Sequence, residues 1–401
     1  MYKSIIYNFA LFIVVCLVFL WGYIRIKYHF WCSQPVFHIY DYSYYLWGNG
    51  IINEDVEVNR YCNFKDIYNE EYSKISKLQK ENFQHLIYLN YAQSDIVAYR
   101  PKLENIDPYF EGHNGKCYIS LYYKDKPMRD NSTRELITTK TVVGALTTRP
   151  LIVDIFDKKV SAFTCGYVDY LCVDKNNRKQ NIAPELIQTT YYHTRNKDLQ
   201  TKIYIFKREG DLTYIVPLCI YKCYSFNMMK WKKPLDFIIC NVSIQEVNKS
   251  TLHLIVDFLK ENLKKKYDIA ITPSIGNLLA LINSQNVYIY YLLMDDEIKA
   301  LYIFRNTCAS IKNIGIGIDC IGSINITKTE FFIQGYKIAL WRIIEKYPDF
   351  KYNVVEDTSD NNIIIDNLLL KTRPFTVFPS AYYFYNYISK SYPSKKVFII
   401  N

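Results

Sequence analysis

Residues 168–187, VDYLCVDKNNRKQNIAPELI, contain the most informative pattern in this chain of 401 residues. The pattern begins inside an apolar run over residues 167–173, which predicts a buried β-strand. A polar turn follows over residues 174–181, and a helix is then expected to begin near Ile182. Pro184 suits a first helical turn, because its missing N–H would have no partner there. The acidic residue behind it suits the positive end of the helix dipole.

A strand, a turn and the start of a helix together form a site for an anion. The unpaired N–H groups of a first helical turn and the helix dipole both favour a phosphate group at that position. The same pattern also fits an ordinary connection between a strand and a helix. The pattern alone does not separate these two interpretations.

The residues of this segment resemble the acyl-CoA pyrophosphate loop of the GNAT acyltransferases. More narrowly, they are similar to the signature of glycylpeptide N-tetradecanoyltransferase, the N-myristoyltransferase family, which reads Phe-Leu-Cys-Val followed by Arg-Ser-Lys-Arg-Val-Ala-Pro. The resemblance implies that CoA binds through Tyr170, Leu171, Cys172, Val173, Arg178, Lys179, Gln180, Asn181, Ile182, Ala183 and Pro184. Gln180 and Asn181 replace two basic residues of the family, which predicts weaker CoA binding.

The composition limits the class of protein. A chain of 401 residues is long enough for two domains with their own cores. Its net charge of +10 favours anionic partners such as CoA phosphates or a membrane surface, and would also suit nucleic acid. The charge is dispersed, and we predict no nucleic-acid partner. The 11 cysteines form no Cys-x-x-Cys pair and no Cys/His cluster, so we expect no metal site and no disulfide framework.

Residues 4–24 form an uncharged apolar run about as long as a helix that spans a bilayer. Trp21 and Tyr23 lie where an interfacial aromatic residue would lie. A cleaved signal peptide is the alternative, but no small-x-small cleavage motif follows. We predict a single-pass membrane anchor over residues 1–27. The remaining chain is expected in the cytosol, where both reduced cysteines and acyl-CoA chemistry belong.

The segment after this apolar run also resembles the N-myristoyltransferase family. Residues 30–36, FWCSQPV, are similar to the Phe-Trp-x-Thr-Gln-Pro-Val segment that opens the catalytic region of the family. An aromatic belt at the membrane surface is the alternative explanation, and both can hold together. The resemblance implies that CoA is held by the aromatic residues Tyr28, His29, Phe30 and Trp31.

Peptide recognition is where the sequence departs most from the family. Residues 89–100 resemble the loop over the peptide groove of the family but lack its acidic run. Residues 217–227 resemble its Cys-x-Tyr-x-His-x-Ser-Leu-Asn segment, with Cys223 in place of the His. The resemblance implies peptide contacts from Tyr91, Tyr221, Cys223, Ser225, Asn353 and Glu356. An acidic run would attract basic substrate residues, so its loss puts the usual peptide preference in doubt.

The C-terminal residues supply the third match. Residues 381–387 resemble the Tyr-Tyr-Leu-Tyr-Asn-Trp block of the family, and residues 396–401 resemble its final residues in a slightly shorter form. No Ser-His-Asp or Cys-His set is evident, which favours direct attack of an amine on a thioester. By resemblance, the backbone N–H groups of Tyr170 and Leu171 form the oxyanion hole and the terminal carboxylate of Asn401 accepts the proton. A frayed tail is the alternative for Asn401.

Hydrophobic periodicity predicts several further elements. Residues 67–85 are charged and are expected to be helical, and residues 252–266 predict an amphipathic helix. Residues 287–304 alternate like two strands around Asp295 and Asp296. A strand over residues 314–326 and a helix over residues 332–346 complete the same order of elements in both halves of the chain.

These observations predict an α/β (α+β) fold of two tandem GNAT-like domains that share a saddle-shaped sheet, preceded by one transmembrane helix. We expect an anchor over residues 1–27, an acyl-CoA-binding domain over 28–230 and a peptide-binding domain over 231–401. The predicted function is transfer of myristate from myristoyl-CoA to the N-terminal glycine of proteins, by a monomer. One alternative is a membrane scaffold that binds acyl-CoA or a lipidated peptide without turnover. Another is a GNAT enzyme with a different acyl chain or amine.

Overall fold

The computed structural model describes residues 2–129, 136–156, 160–210, 214–239 and 241–401. Its helices are α1 (Tyr2–Lys27), α2 (Tyr42–Trp47), α3 (Lys77–Asn90), α4 (Leu103–Ile106), α5 (Ile182–Lys197), α6 (Leu252–Lys266), α7 (Ile275–Asn283), α8 (Thr329–Lys346) and α9 (Asn361–Leu369). Its strands are β1 (Gly50–Ile51), β2 (Ile67–Glu71), β3 (Val97–Tyr99), β4 (Tyr118–Arg129), β5 (Leu136–Ile155), β6 (Phe163–Val173), β7 (Ile203–Glu209), β8 (Cys219–Asn227), β9 (Val242–Glu246), β10 (Ile269–Thr272), β11 (Val287–Met294), β12 (Glu297–Ile311), β13 (Gly315–Asn325), β14 (Phe350–Glu356), β15 (Thr376–Tyr385), β16 (Tyr387–Ile388) and β17 (Val397–Ile399).

Fifteen strands in this part of the chain form one mixed sheet. Its main order is β17-β10-β5-β6-β7-β15-β8-β14-β13-β12-β11-β9. β4 pairs with β5, β2 with β4 and β3 with β12, whereas β1 and β16 form a separate pair. The predicted mixed α/β class is therefore confirmed.

The two halves of the sheet repeat one order of elements, as predicted. Antiparallel β4, β5 and β6 are followed by α5 and β7, and antiparallel β11, β12 and β13 are followed by α8 and β14. In each half, the strands on either side of the helix pair in parallel. Each half therefore brings the carboxyl ends of a parallel strand pair next to a helix start.

The two halves are joined through shared strands. β15 lies between β7 and β8, and β10 lies between β5 and β17. The second half of the chain thus supplies strands beside the first half. The predicted boundary at residues 230 and 231 falls between β8 and β9, inside one continuous sheet.

Most of the predicted elements are confirmed, and one is wrong in part. The helix over residues 252–266 is α6, and β11 and β12 flank Asp295 and Asp296 as expected. Residues 67–71, however, form β2 instead of a helix, because Ile67 and Asn69 are buried in alternation and the strand pairs with β4. The helix in that region begins only at Lys77, where Ser76 and Gln79 form a capping box.

α1 contains the apolar run seen in the sequence. In the described part of the chain, Ile5–Lys27 is the one helical segment long and apolar enough to cross a membrane, judged by length and composition. Its apolar side chains, such as Phe12 and Phe19, are exposed and do not pack in a core. An N-terminal helix of this kind fits either a membrane anchor or a signal sequence.

Candidate active site

β6 and β7 pair in parallel over only part of their length. Residues 165–168 pair with residues 203–206, after which β6 continues to Val173 and β7 to Glu209 without pairing with each other. Ligands of open α/β sheets bind outside the carboxyl ends of the strands. A cavity of about 830 Å³ lies between the separating strands, lined on its two sides by Asp169, Tyr170, Leu171, Lys207, Arg208 and Glu209.

The wall of this large cavity next to α5 is apolar. It is formed by side chains of α5 and of the strands beneath it, namely Leu146, Val168, Ile187, Tyr191, Tyr204 and Phe206. Trp31 closes this wall and stacks on Phe206 with a distance of 5.8 Å between ring centroids. Burial of hydrocarbon against such a wall is favourable in proportion to its area, so the cavity suits an alkyl chain.

A β-bulge lies at the point where the strands separate. The pairing of β5 with β6 shifts so that Tyr170 and Leu171 stand opposite Leu146 alone. Tyr170 has a φ of 49°, a left-handed conformation that L-residues rarely adopt. A bulge removes backbone N–H groups from the regular ladder, so they become available to a ligand. These are the two residues predicted to form the oxyanion hole.

The carboxylate of Asp169 accepts a hydrogen bond from one of these two N–H groups. The backbone N–H of Tyr170 donates to Asp169 Oδ1 at 2.8 Å. Thr147 Oγ1 donates to the main-chain carbonyl of Asp169 at 3.1 Å and fixes the backbone there. An oxyanion can therefore use the Tyr170 N–H only after the Asp169 side chain has rotated away.

A second cavity, of about 660 Å³, lies over the start of α5. Asn181 precedes the helix with a φ of 59° and makes no capping hydrogen bond through its side chain. The N–H groups of Ile182 and Ala183 therefore point out of the helix end without an intrahelical partner. Together with the helix dipole they favour an anion in this cavity. The anion site predicted from the sequence pattern thus has a cavity of suitable position.

The two cavities lie side by side. Tyr91, Ala92 and Leu171 line both of them. Leu171 of the bulge therefore stands where the two cavities meet.

Arg178 and Lys124 set the charge and shape of the loop before α5. Arg178 Nη2 donates to the Asn90 carbonyl at 3.1 Å and its Nε to the Val173 carbonyl at 3.3 Å. Gln180 accepts a hydrogen bond from Lys124 Nζ and is not among the lining residues of either described cavity. Lys124 on β4 thus places a positive charge next to the loop. From Gln180 and Asn181, the sequence had predicted less positive charge at this position.

Asn401 is buried, with 3% of its surface exposed. Its Nδ2 donates to Tyr167 Oη at 2.7 Å, and Arg305 Nη1 donates to its main-chain oxygen at 3.3 Å. The N–H of Ile400 donates to the carbonyl of Ile271 on β10 at 2.9 Å. The C-terminus is therefore held inside the protein, next to Tyr167 and Arg305, which both line the large cavity.

Four charged side chains meet in the wall of the large cavity. Arg305 Nη2 lies 2.8 Å from Asp319 Oδ2 and 3.4 Å from Glu356 Oε1, and Lys207 Nζ lies 2.9 Å from Glu356 Oε1. Two of these side chains are basic and two are acidic, so their formal charges balance.

The pKa values of the two acidic side chains move in opposite directions. Burial and the charge of Glu356 raise the pKa of Asp319 to about 7. Burial would also raise the pKa of Glu356, but the charges of Lys207 and Arg305 outweigh it and lower that pKa. Glu356 is therefore ionised at neutral pH, whereas Asp319 titrates near it.

The predicted peptide-binding residues do not all reach the cavity. Tyr91, Cys223, Ser225 and Glu356 line it, and Tyr221 stacks on Tyr382 next to it. Asn353 lies on the opposite face of β14, where its Nδ2 donates to Tyr336 of α8 in the core. The structure therefore separates Asn353 from the other five.

The four aromatic residues at positions 28–31 also differ in position. Trp31 lines the large cavity. Phe30 is buried against Tyr61, with ring centroids 5.0 Å apart, and Tyr28 packs against Tyr214 at 4.6 Å. His29 is exposed. These neighbours of Trp31 attach the segment to the body of the protein.

Sequence reasoning missed seven charged residues that line this cavity, Arg149, Asp169, Lys207, Arg208, Glu209, Arg305 and Asp319. All seven lie within strands that also contain apolar residues. A charged residue inside such a strand was the available signal, since burial of an unpaired charge is costly. Among the described residues, no group of three His, Cys, Asp or Glu residues is arranged to hold a metal ion.

No protein-family model matches the sequence, and no curated protein matches it. Solved structures do match. Saccharomyces cerevisiae N-myristoyltransferase with bound myristoyl-CoA matches with a TM-score of 0.68 and 13% identity, over 91% of this chain and 89% of that chain. A second structure of that enzyme with bound myristoyl-CoA has a TM-score of 0.67 and 13% identity, over 91% and 94%. A tandem GNAT protein from the clavulanic acid biosynthesis pathway has a TM-score of 0.51 and 10% identity, over 80% and 98%. This chain therefore has the fold of the N-myristoyltransferases.

Proposed function

We propose that this protein is an N-acyltransferase that transfers myristate from myristoyl-CoA to the N-terminal glycine amine of a protein. The observation that carries the proposal is the position of an anion cavity directly beside a large, partly apolar cavity at the bulge of β6. The fold is that of yeast N-myristoyltransferase, which was solved with myristoyl-CoA bound.

In this proposal the acyl-CoA lies across both cavities. Its pyrophosphate binds the N–H groups of Ile182 and Ala183, near the cations of Arg178 and Lys124. Its acyl chain lies against the apolar wall next to α5. Each buried CH₂ of the chain contributes about 0.8 kcal/mol, so a long acyl chain is favoured over a short one. The thioester then lies beside Tyr170 and Leu171.

The reaction is a direct attack of the amine on the thioester. The amine nitrogen forms a bond to the carbonyl carbon, and the resulting oxyanion is stabilised by the backbone N–H groups of Tyr170 and Leu171. The terminal carboxylate of Asn401 takes the proton from the ammonium group. The C–S bond then breaks, and the departing thiolate takes a second proton from the amine nitrogen, so that CoA leaves as a thiol while the proton on Asn401 passes to solvent. Burial in general raises the pKa of a carboxylate and lowers that of an amine, so it makes this proton transfer less unfavourable.

The acceptor amine approaches the carboxylates in the wall of the large cavity. Asp319, Glu356 and the terminal carboxylate of Asn401 attract the ammonium form of a protein N-terminus. The sequence resemblance to the N-myristoyltransferase family implies that N-terminal glycine is the residue that is acylated.

We also propose that the catalytic part consists of two GNAT-like units, over residues 28–230 and 231–401, and acts as a monomer. The repeated order of elements around α5 and α8 supports this division. The exposed apolar surface of α1 supports a single-pass membrane anchor, with the catalytic part on the cytosolic side, where acyl-CoA is the donor.

A second candidate function is a scaffold that binds acyl-CoA or a lipidated peptide without turnover. The observation that favours it is the hydrogen bond from the Tyr170 N–H to Asp169, which occupies part of the proposed oxyanion hole. The replacement of two basic residues of the family by Gln180 and Asn181 points the same way.

The two functions are separated by incubating the detergent-solubilised full-length protein with myristoyl-CoA and a glycine-initiated peptide. Mass spectrometry should show a myristoylated peptide, and the same peptide with an acetylated N-terminus should stay unmodified. Calorimetry measures myristoyl-CoA binding in parallel. Binding without transfer would support the scaffold, and the absence of both would contradict both functions.

A further inference from the structure

Arg149 is a buried cation in the wall of the large cavity, and the proposed reaction does not use it. Only 1% of its surface is exposed. Its Nε and Nη1 atoms have no hydrogen-bond partner among the described residues. A buried charge without an ionic or hydrogen-bonding partner is strongly disfavoured, so this arrangement calls for an anion that the chain itself does not supply.

Two tyrosine rings hold the guanidinium group. Its central carbon lies 5.2 Å from the ring centroid of Tyr109 and 4.7 Å from that of Tyr167. Cation–π attraction offsets part of the cost of burying the charge. The N–H groups of a guanidinium can bind a planar anion such as a carboxylate through two hydrogen bonds.

The position of Arg149 identifies the molecule that carries this anion. Arg149 lines the large cavity and not the cavity over the start of α5, where the phosphates of CoA are proposed to bind. The wall next to α5 is apolar and suits the acyl chain. The remaining substrate is the acceptor. Tyr167 is one of the two rings beside Arg149, and its hydroxyl group accepts a hydrogen bond from Nδ2 of Asn401. Arg149 therefore lies close to Asn401, the residue proposed to accept the proton.

We propose that Arg149 binds a carboxylate of the acceptor, so that the preferred acceptor carries a carboxylate close to its reactive amine. This inference rests on the proposed acyl transfer and specifies its substrate class. The carboxylate has two chemical sources. One is an acidic side chain directly after the N-terminal glycine, and the other is the α-carboxylate of a free amino acid.

The test uses the full-length protein, myristoyl-CoA and three acceptors: a peptide that begins Gly-Asp, the matched peptide that begins Gly-Asn, and free glycine. Wild type should acylate the Gly-Asp peptide with a kcat/KM about tenfold or more above that of the Gly-Asn peptide, as a charge-assisted hydrogen bond predicts. In Arg149→Met this ratio should fall close to one. If wild type acylates free glycine and the variant does so less, the α-carboxylate is the source. If wild type prefers the Gly-Asp peptide over the Gly-Asn peptide and does not acylate free glycine, the side chain is the source.

Equal rates with the two peptides in wild type, together with no acylation of free glycine, would overturn the inference. An equal loss with all acceptors in Arg149→Met would also overturn it, since Arg149 would then act on the enzyme itself, for example on the terminal carboxylate. Arg149→Lys keeps the charge and should retain part of the preference, which guards against a misfolded methionine variant. Calorimetry with myristoyl-CoA checks that each variant keeps the donor site.

Failure of the proposed function gives a different result. If wild type binds myristoyl-CoA but acylates none of the acceptors, acyl transfer is wrong, and the carboxylate site is then tested by titrating the Gly-Asp and Gly-Asn peptides into that complex. Tighter binding of the Gly-Asp peptide that is lost in Arg149→Met supports the site. Equal binding of both peptides overturns it.

Discussion

The backbone N–H group of Tyr170 has a different role in the two proposed functions, enzyme and scaffold. It donates to the carboxylate of Asp169 at 2.8 Å, whereas an acyl transferase needs it to stabilise an oxyanion. The hydrogen bond of a charged acceptor contributes about 1.5–3 kcal/mol, so displacement of Asp169 adds a cost of that order to the reaction. Asp169 thus opposes the proposed reaction, in which the same bulge supplies the oxyanion hole.

If Asp169 competes with the oxyanion, its removal should accelerate acyl transfer. We expect Asp169→Ala to raise kcat by about tenfold, because the Tyr170 N–H is then available without displacement of a carboxylate. Single-turnover rates with a glycine-initiated peptide measure this effect. Asp198→Ala, at the far end of α5, serves as a control of equal charge change. A kcat of Asp169→Ala at or below that of wild type would show that the carboxylate does not compete.

The pH dependence of acceptor binding should report on Asp319. Its pKa is raised to about 7 by burial and by the charge of Glu356, so the side chain is neutral below this pH and negatively charged above it. The KM for an ammonium acceptor should therefore fall as the pH rises through about 7. Asp319→Asn should remove this step. Retention of the step in the variant would assign it to another group.

At the scale of elements, the sequence predicted features that depend on neighbouring residues, such as the start of a helix. It did not predict features that depend on the pairing of distant strands. α5 begins at Ile182 as predicted, because the turn before it and Pro184 inside it act on the backbone directly. The buried cluster of Lys207, Arg305 and Asp319 was not predicted. These residues come from β7, β12 and β13, and only the pairing of distant strands brings them together. The strand at residues 67–71 was missed for the same reason, since its partner β4 lies about fifty residues away.

The loop before α5 should lose affinity for acyl-CoA when Arg178 is changed. Arg178→Gln removes a cation beside the proposed phosphate site and two hydrogen bonds to the carbonyls of Asn90 and Val173. We expect a Kd for myristoyl-CoA about tenfold higher, measured by calorimetry. Lys260→Gln, on the exposed face of α6, removes the same charge far from the loop. Equal affinities of the two variants would contradict the phosphate site.

At the scale of the whole molecule, the candidate site combines residues that lie far apart in the sequence. β17 pairs with β10, which pairs with β5, and this returns Asn401 to the first half of the sheet. At the other end, Trp31 follows α1 after only a few residues and lines the large cavity. If α1 lies in a membrane, the entrance for acyl-CoA is held close to the membrane surface.

Removal of residues 1–27 should separate membrane binding from substrate binding. The apolar side chains of α1 are exposed, and none of them lines either described cavity. We therefore expect the shortened protein to stay in the supernatant when vesicles are sedimented and to bind myristoyl-CoA as the full chain does. Loss of binding in a folded shortened protein would mean that the helix belongs to the site.

The central claim is that the terminal carboxylate of Asn401 takes the proton of the attacking amine. Its most direct test is the single-turnover rate of acyl transfer in a protein with one glycine appended after Asn401, which moves the carboxylate away from Arg305. We predict that the rate falls roughly 10²–10⁴-fold while the Kd for myristoyl-CoA is unchanged. Transfer at the wild-type rate by the extended protein would contradict the claim.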